Sequence, residues 1–307
     1  MSNNPAMKGV LSPVVTPFDE NLAPDAGRLV RHCKWLIAND VGLAVFGTNS
    51  EANSMSTREK LRLLDALAES GLPTSRMMPG TGACALDDSV ELTKRAVDLG
   101  CGGVLMLPPF YYKGVPEEGL YRNFSEIIQR VGDDKLRIYL YHIPPVAQVG
   151  IPLGLIERLL KDYPDIIAGA KDSSGDWDNT KAMIDSFAAE GFDVYPGSET
   201  FLLQGLRAGG AGCISATANV NPGPIAKLAA TWQGDDADAQ QEGLNVTRGI
   251  FQTYVMIPAL KAAIAHYGAD GAWNRLRPPL VELTEAEQKQ LVKNLDASGF
   301  SMPGLAS

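Results

Sequence analysis

Apolar residues along this chain recur in two alternating rhythms, short extended runs and longer segments with helical spacing. The first run, GVLSPVVTPF at 9–18, precedes 25–39, where Leu29, Val30, Cys33, Leu36 and Ile37 fall on one helical stripe. VGLAVFG at 41–47 predicts a second strand. Residues 57–70 predict a helix capped by Thr57, with Leu61, Leu64 and Leu67 along it. RMMPGTG is a third run, followed by a helix at 87–99 and a fourth strand, GGVLMLPP, at 102–109. A helix at 116–130 leads to the fifth strand in LRIYLYHIPP, and one at 153–163 leads to the sixth at 166–171. A helix at 179–190 comes next. The seventh strand, FDVYPGSE, and the eighth, GCISATANV, flank a short helix at 200–208. Eight strand candidates separated mostly by helices predict a parallel α/β fold, and that number within about 220 residues fits a closed (β/α)8 TIM barrel. An open nucleotide-binding sheet calls for GxGxxG after its first strand, which SPVVTPF does not supply.

After residue 221 the rhythm changes. Apolar helical stretches at 224–232, 244–267 and 285–295 are joined by no further obvious strand. Pro258 is expected to kink or divide the middle stretch, 235–241 reads as a polar connector, and the tail PGLAS as loosely held. The expected organisation is a barrel over 1–221 with a C-terminal helical extension over 222–307 packed on it.

Composition narrows the function classes. With 307 residues, 45% of them hydrophobic, the chain can bury a large core. A net charge of -9 disfavours generic nucleic-acid binding. No apolar run reaches membrane-spanning length, and no early segment reads as a signal peptide. Cys33, Cys84, Cys101 and Cys213 lack zinc-type spacing and read as buried free thiols, so a cytoplasmic location is expected. His32, His142 and His266 form no HExxH or His-x-His pair, and no metal is expected.

In such a barrel the working residues sit at the C-terminal strand ends. Those ends carry Thr16, then Thr48, Asn49, Ser50 and Glu51, then Phe110, Tyr111 and Tyr112, then Tyr141, Lys171, Ser198 with Glu199, and Ile214 with Ser215. Around Lys171, IIAGAKDSSGD reads as a strand ending at a polar turn. Period-two alternation puts Lys171 on one face with Ile167 and Gly169, where Gly169 leaves room beneath a long amine. Such a lysine is either an ion-pair member or a nucleophile. An amine among phenols and hydroxyls, without a carboxylate triad for a divalent metal, fits imine chemistry. Each neighbour has a plainer reading as well. Tyr141 can be a packing tyrosine, Thr48 and Asn49 can satisfy turn backbone, and Glu51 can cap a helix N-terminus. The aromatic loop at 110–112 suggests a pocket wall or a subunit interface.

Five separated motifs, in order, carry a family resemblance. They are GTNSEANSMSTREK, PPFYYKGVPEEGLYRNF, YHIPP, GAKDSSGD and GCISATANVNP. The chain resembles the pyruvate-dependent class I aldolases and synthases of the dihydrodipicolinate synthase and N-acetylneuraminate lyase family. The resemblance implies that Lys171 forms a Schiff base with a keto acid, with no other cofactor. It makes Tyr141 the proton-shuttling phenol, and Thr48 with Asn49 the holders of the keto-acid carboxylate. Tyr111 falls in the loop that reaches across a subunit interface, and Ile214 at a backbone position lining the keto-acid pocket. Ser198 completes the strand-end set, and the implied assembly is a homodimer or homotetramer. Asn49 stands where members carry a hydroxyl residue, and Ser50 where they carry glycine. Val146 stands where the lysine-pathway synthase has an arginine for the carboxylate of its aldehyde. The expected function is a lyase joining pyruvate to an aldehyde or reversing that step, with a 2-keto-3-deoxy or 4-hydroxy-2-keto acid as substrate. The alternatives are 4-hydroxy-tetrahydrodipicolinate synthase, a sugar-acid dehydratase or hydratase using the same imine, and a non-catalytic keto-acid binder.

Overall fold

The computed structural model describes residues 7–305. Its strands are β1 (Gly9–Ser12), β2 (Gly42–Leu43), β3 (Val104–Met106), β4 (Ile138–His142), β5 (Ile167–Asp172), β6 (Asp193–Pro196) and β7 (Gly212–Ile214). Helices separate successive strands from β1 to β7, and the pairs β1–β2, β3–β4, β4–β5 and β5–β6 are parallel. The α/β class expected from the hydrophobic rhythm is therefore found. The run RMMPGTG is not a full strand. It meets β3 through a single bridge, Gly80 opposite Leu105, flanked by bonds from Leu105 N–H to Pro79 O and Thr81 N–H to Leu105 O.

The chain forms two compact units. Among the described residues the first comprises 7–9 and 73–214, the second 10–72 and 215–305. In the first, β3, β4, β5 and β6 lie side by side in chain order. Each strand is almost wholly buried, as a parallel strand covered on both faces must be. In the second unit, β1 pairs with β2, Leu11 opposite Gly42 and Ser12 opposite Leu43. Asn219 ties the following segment down: its Oδ1 accepts from Val15 N–H, and its Nδ2 donates to Pro13 O and Ala216 O.

Local chemistry explains where several boundaries depart from expectation. The helix expected to be capped by Thr57 is capped by Ser56, whose hydroxyl accepts from Glu59 N–H while the Glu59 carboxylate reaches back to Ser56 N–H. The long stretch near Pro258 is two helices, Ala237–Gln252 and Met256–Tyr267. Pro258 sits in the first turn of the second, where a missing N–H breaks no helical bond. Much of the expected connector at 235–241 is helical, and Ala237 is fully buried. The tail is held as far as it is described: Trp35 Nε1 donates to Pro303 O at 2.8 Å. Cys33, Cys101 and Cys213 are buried as expected, but Cys84 is exposed. Among the described residues no helix is long and apolar enough to cross a membrane.

One buried group in the second unit gives the fold a pH signature. His32 lies between Trp35 and Trp273, with ring centroids at 5.6 and 5.2 Å. Burial pulls its pKa from 6.5 down to about 4. Between those values the unfolded chain takes up a proton that the folded chain refuses, so stability falls as pH drops through this window. The full loss is about 3 kcal/mol at the bottom of the window. Urea unfolding of His32→Leu and the parent at pH 7 and pH 4.5 checks this: the variant should lose distinctly less stability on acidification.

Candidate active site

Adjacent strands of the first unit bring Lys171 and Tyr141 together. Tyr141 on β4 pairs with Lys171 on β5, and Tyr195 on β6 extends the row. Register partners project from the same face of a sheet, so the three side chains form one layer. Lys171 Nζ donates to Tyr141 Oη at 3.2 Å and lies 4.3 Å from the centre of the same ring. Lys171 is 2% exposed and Tyr141 3%.

The layer beneath corrects two expectations. A Cβ at Gly169 would meet Asp193 O at 2.1 Å and Tyr139 Cδ1 at 2.8 Å, and one at Gly103 would meet Tyr139 Cε2 at 2.6 Å. The space that Gly169 leaves is thus filled by the Tyr139 ring and the β6 backbone, and the lysine does not use it. Strict alternation also fails. Ile138 pairs with Ile167 and Tyr139 with Gly169, which leaves Ala168 as an extra residue. Lys171 shares its face with Gly169 and not with Ile167. Tyr139 meets Tyr195 edge to face at 5.9 Å, and burial pushes the neighbouring Asp193 carboxyl up to about 6.

The same unit holds further sequence candidates. Tyr111 and Tyr112 are each 74% exposed and pack edge to face against one another. Lys113 Nζ donates to Phe110 O and to Ala147 O, tying the aromatic loop to the short helix Pro144–Ala147 that carries the exposed Val146. His142 fixes the chain just beyond: its Nδ1 accepts from Ile151 N–H at 2.9 Å, and burial lowers its pKa. Ile214 ends β7, fully buried. Ser198 is engaged locally as a cap, its hydroxyl accepting from Thr200 N–H.

Thr48 and Asn49 belong to the second unit, in the 3-10 turn Thr48–Ser50. Two non-glycine residues in left-handed conformation bracket it, Phe46 at φ 62° and Glu51 at φ 55°. Such a conformation costs roughly 1–2 kcal/mol per residue and persists where surroundings enforce it. Ser50 is accommodated without a positive φ, and its Oγ accepts from Gly47 N–H at 3.2 Å. Thr16 Oγ1 donates to Ser50 O at 2.7 Å. Glu51 caps no helix through its side chain. It is buried, and its carboxylate receives Lys261 Nζ at 2.8 Å and Arg277 N–H at 3.0 Å. Sequence reasoning passed over both partners. The signal available was Lys261 itself, a lone charge inside the apolar helix MIPALKAAIAHY.

Comparison with known proteins places the whole chain. The sequence model of the dihydrodipicolinate synthetase family matches residues 6–298. A DapA-like lyase of uncharacterised function from Chloroflexus aurantiacus is 34% identical over 91% of this chain and 93% of its own length. The 4-hydroxy-tetrahydrodipicolinate synthase of Methanococcoides burtonii is 32% identical over 94% of this chain and 96% of its own. The crystal structure of dihydrodipicolinate synthase from Agrobacterium tumefaciens superposes with a TM-score of 0.87 at 27% identity, over 94% of this chain and 98% of that one. That likeness shows the fold to be the (β/α)8 barrel type with C-terminal helices expected from the sequence.

Proposed function

The chain belongs to the dihydrodipicolinate synthetase family, and on that premise we propose that it joins pyruvate to an aldehyde, or splits such an adduct, through an imine on Lys171. The observation that carries this reading is the buried Lys171–Tyr141 pair, 3.2 Å apart on neighbouring strands. The unprotonated amine attacks C2 of pyruvate, the carbinolamine loses water, and the iminium draws electrons from C3. Loss of a C3 proton gives an enamine, whose C3 attacks the aldehyde carbon as the aldehyde oxygen takes up a proton, and water then hydrolyses the resulting iminium to free the product and the amine. Cleavage is the reverse: the imine of the adduct forms on Lys171, the 4-hydroxyl gives up its proton, the C3–C4 bond breaks to leave the enamine, C3 takes up a proton, and water releases pyruvate from the imine. Tyr141 Oη, in hydrogen-bond reach of Nζ, moves the protons. Thr48 and Asn49 hold the pyruvate carboxylate. An amide donates and accepts but cannot relay a proton as a hydroxyl does, so Asn49 binds without shuttling. Ile214 lines the keto-acid site with its backbone, and Ser198 and Val146 border the second substrate. Tyr111 serves a second copy of the chain in a homodimer or homotetramer, which accounts for its exposure.

The substrate class follows from the Val146 position. Valine has no donor, and the nearby Lys113 ammonium is already bonded to two backbone carbonyls. A missing charge-assisted contact to a second carboxylate costs roughly 2–5 kcal/mol. This supports a less acidic aldehyde, with a 2-keto-3-deoxy or 4-hydroxy-2-keto acid as the adduct. The second reading is condensation of pyruvate with aspartate semialdehyde, favoured by the similarity to the 4-hydroxy-tetrahydrodipicolinate synthase of Methanococcoides burtonii.

Two measurements test the proposal. Borohydride reduction with pyruvate should add one three-carbon unit per chain, mapped to Lys171; an adduct on another lysine, or none, refutes the imine assignment. A lactate dehydrogenase-coupled panel of keto acids, run beside semialdehyde condensation, tests the substrate class. A kcat/KM for the semialdehyde above that for every keto acid would restore the second reading.

A further inference from the structure

The turn that carries Thr48 and Asn49 is fastened from the C-terminal part of the second unit by a buried ionic anchor. We propose that Lys261, together with Arg277, is a positioning residue for keto-acid binding, acting on Thr48 and Asn49 through Glu51. The inference rests on the functional reading above and deepens it.

Four observations carry it. Glu51 N–H donates to Thr48 O, so the placement of residue 51 fixes that of residue 48 directly. Glu51 holds a left-handed conformation unusual for a non-glycine residue, and its side chain is 0% exposed, as is that of Lys261. The two carboxylate oxygens are divided between Lys261 Nζ at 2.8 Å and Arg277 N–H at 3.0 Å, which fixes the carboxylate in direction as well as position. The Arg277 guanidinium continues the anchor along the same segment, donating to Ser54 O at 2.7 Å, to Leu22 O at 2.8 Å and to the Glu59 carboxylate.

The Phe18 ring receives both cations on its face, Lys261 Nζ at 4.6 Å and Arg277 Cζ at 4.9 Å from its centre. The two charges are therefore located by an aromatic surface as well as by carboxylates. A buried ion pair is poor evidence for stability as such, because apolar residues of equal volume often serve as well. A turn held in a strained conformation next to proposed ligand-binding groups is a different matter. There, fixed geometry is what binding requires, and strain of this kind persists only where the surroundings over-determine it.

The test uses two variants of the full-length protein. Lys261→Met leaves the Glu51 carboxylate without its ammonium. The double variant Glu51→Gln with Lys261→Met removes both charges and keeps an acceptor for Arg277 N–H. For each, three quantities are measured well below the thermal midpoint: the pyruvate concentration that half-saturates borohydride trapping, kcat at saturating substrate, and the midpoint itself. Every folded variant should need at least tenfold more pyruvate for half-saturation, with kcat within threefold of the parent. That split marks binding lost equally from ground and transition states. The double variant should recover thermal stability without recovering affinity. If Lys261→Met does not fold, the double variant decides alone. Affinity within twofold of the parent in a folded variant, or affinity that returns together with the midpoint, would make the anchor purely structural and overturn the inference. A parent that takes up no adduct at all would overturn the imine reading first, and this inference with it.

Discussion

Lys171→Met should fold, take up no three-carbon adduct from pyruvate and borohydride, and lose turnover by a factor on the order of 10⁶, the scale seen when a covalent nucleophile is removed. Methionine suits the test because it keeps an unbranched apolar stem and leaves no unneutralised charge at a 2% exposed position. The circular dichroism spectrum should match the parent, which separates loss of chemistry from loss of fold. Intact mass after reduction reads the adduct directly. An adduct that persists in the variant, or turnover within a hundredfold of the parent, would remove Lys171 from the mechanism.

Tyr141→Phe is the second large effect. The ring remains to fill its buried place on β4, and only the oxygen 3.2 Å from Lys171 Nζ is lost. The reduced adduct should still form, more slowly, because the amine is intact. Turnover should fall by about 10²–10⁴-fold, the usual contribution of a positioned acid or base. Single-turnover mixing with pyruvate, followed by reduction at timed intervals, distinguishes slow imine formation from slow carbon–carbon chemistry. A kcat within twofold of the parent would return Tyr141 to the packing residues.

How much of this was legible beforehand depends on the range of the interaction involved. Lys171 and Tyr141 could be placed from strand ends alone, because period-two patterning and a following turn are local signals. The pairing of their strands was legible too, since consecutive strands linked by a helix tend to lie side by side. The bulge at Ala168 was not, because an extra residue shows only against the partner strand. Gly169 was read as room for the amine, and bulk is in fact excluded there. What excludes bulk there is Tyr139 on the neighbouring strand and Asp193 O beyond it, and nothing within IIAGAKD reveals either. Glu51 shows the same limit at longer range. Beside a strand end and ahead of a helix it resembled a cap, yet its partners lie 210 and 226 residues further along.

That separation has a consequence for how the protein is made. Residues 10–72 belong to a unit whose other described residues are 215–305. At bacterial and eukaryotic synthesis rates, the 210 residues between Glu51 and Lys261 take about 10–40 s to translate. Throughout that interval Glu51 lacks the cation that pairs with it in the finished protein. The segment 73–214, by contrast, carries all four strands of its sheet in one continuous stretch. The ionic anchor of Glu51 can therefore close only after the whole middle of the chain has been made.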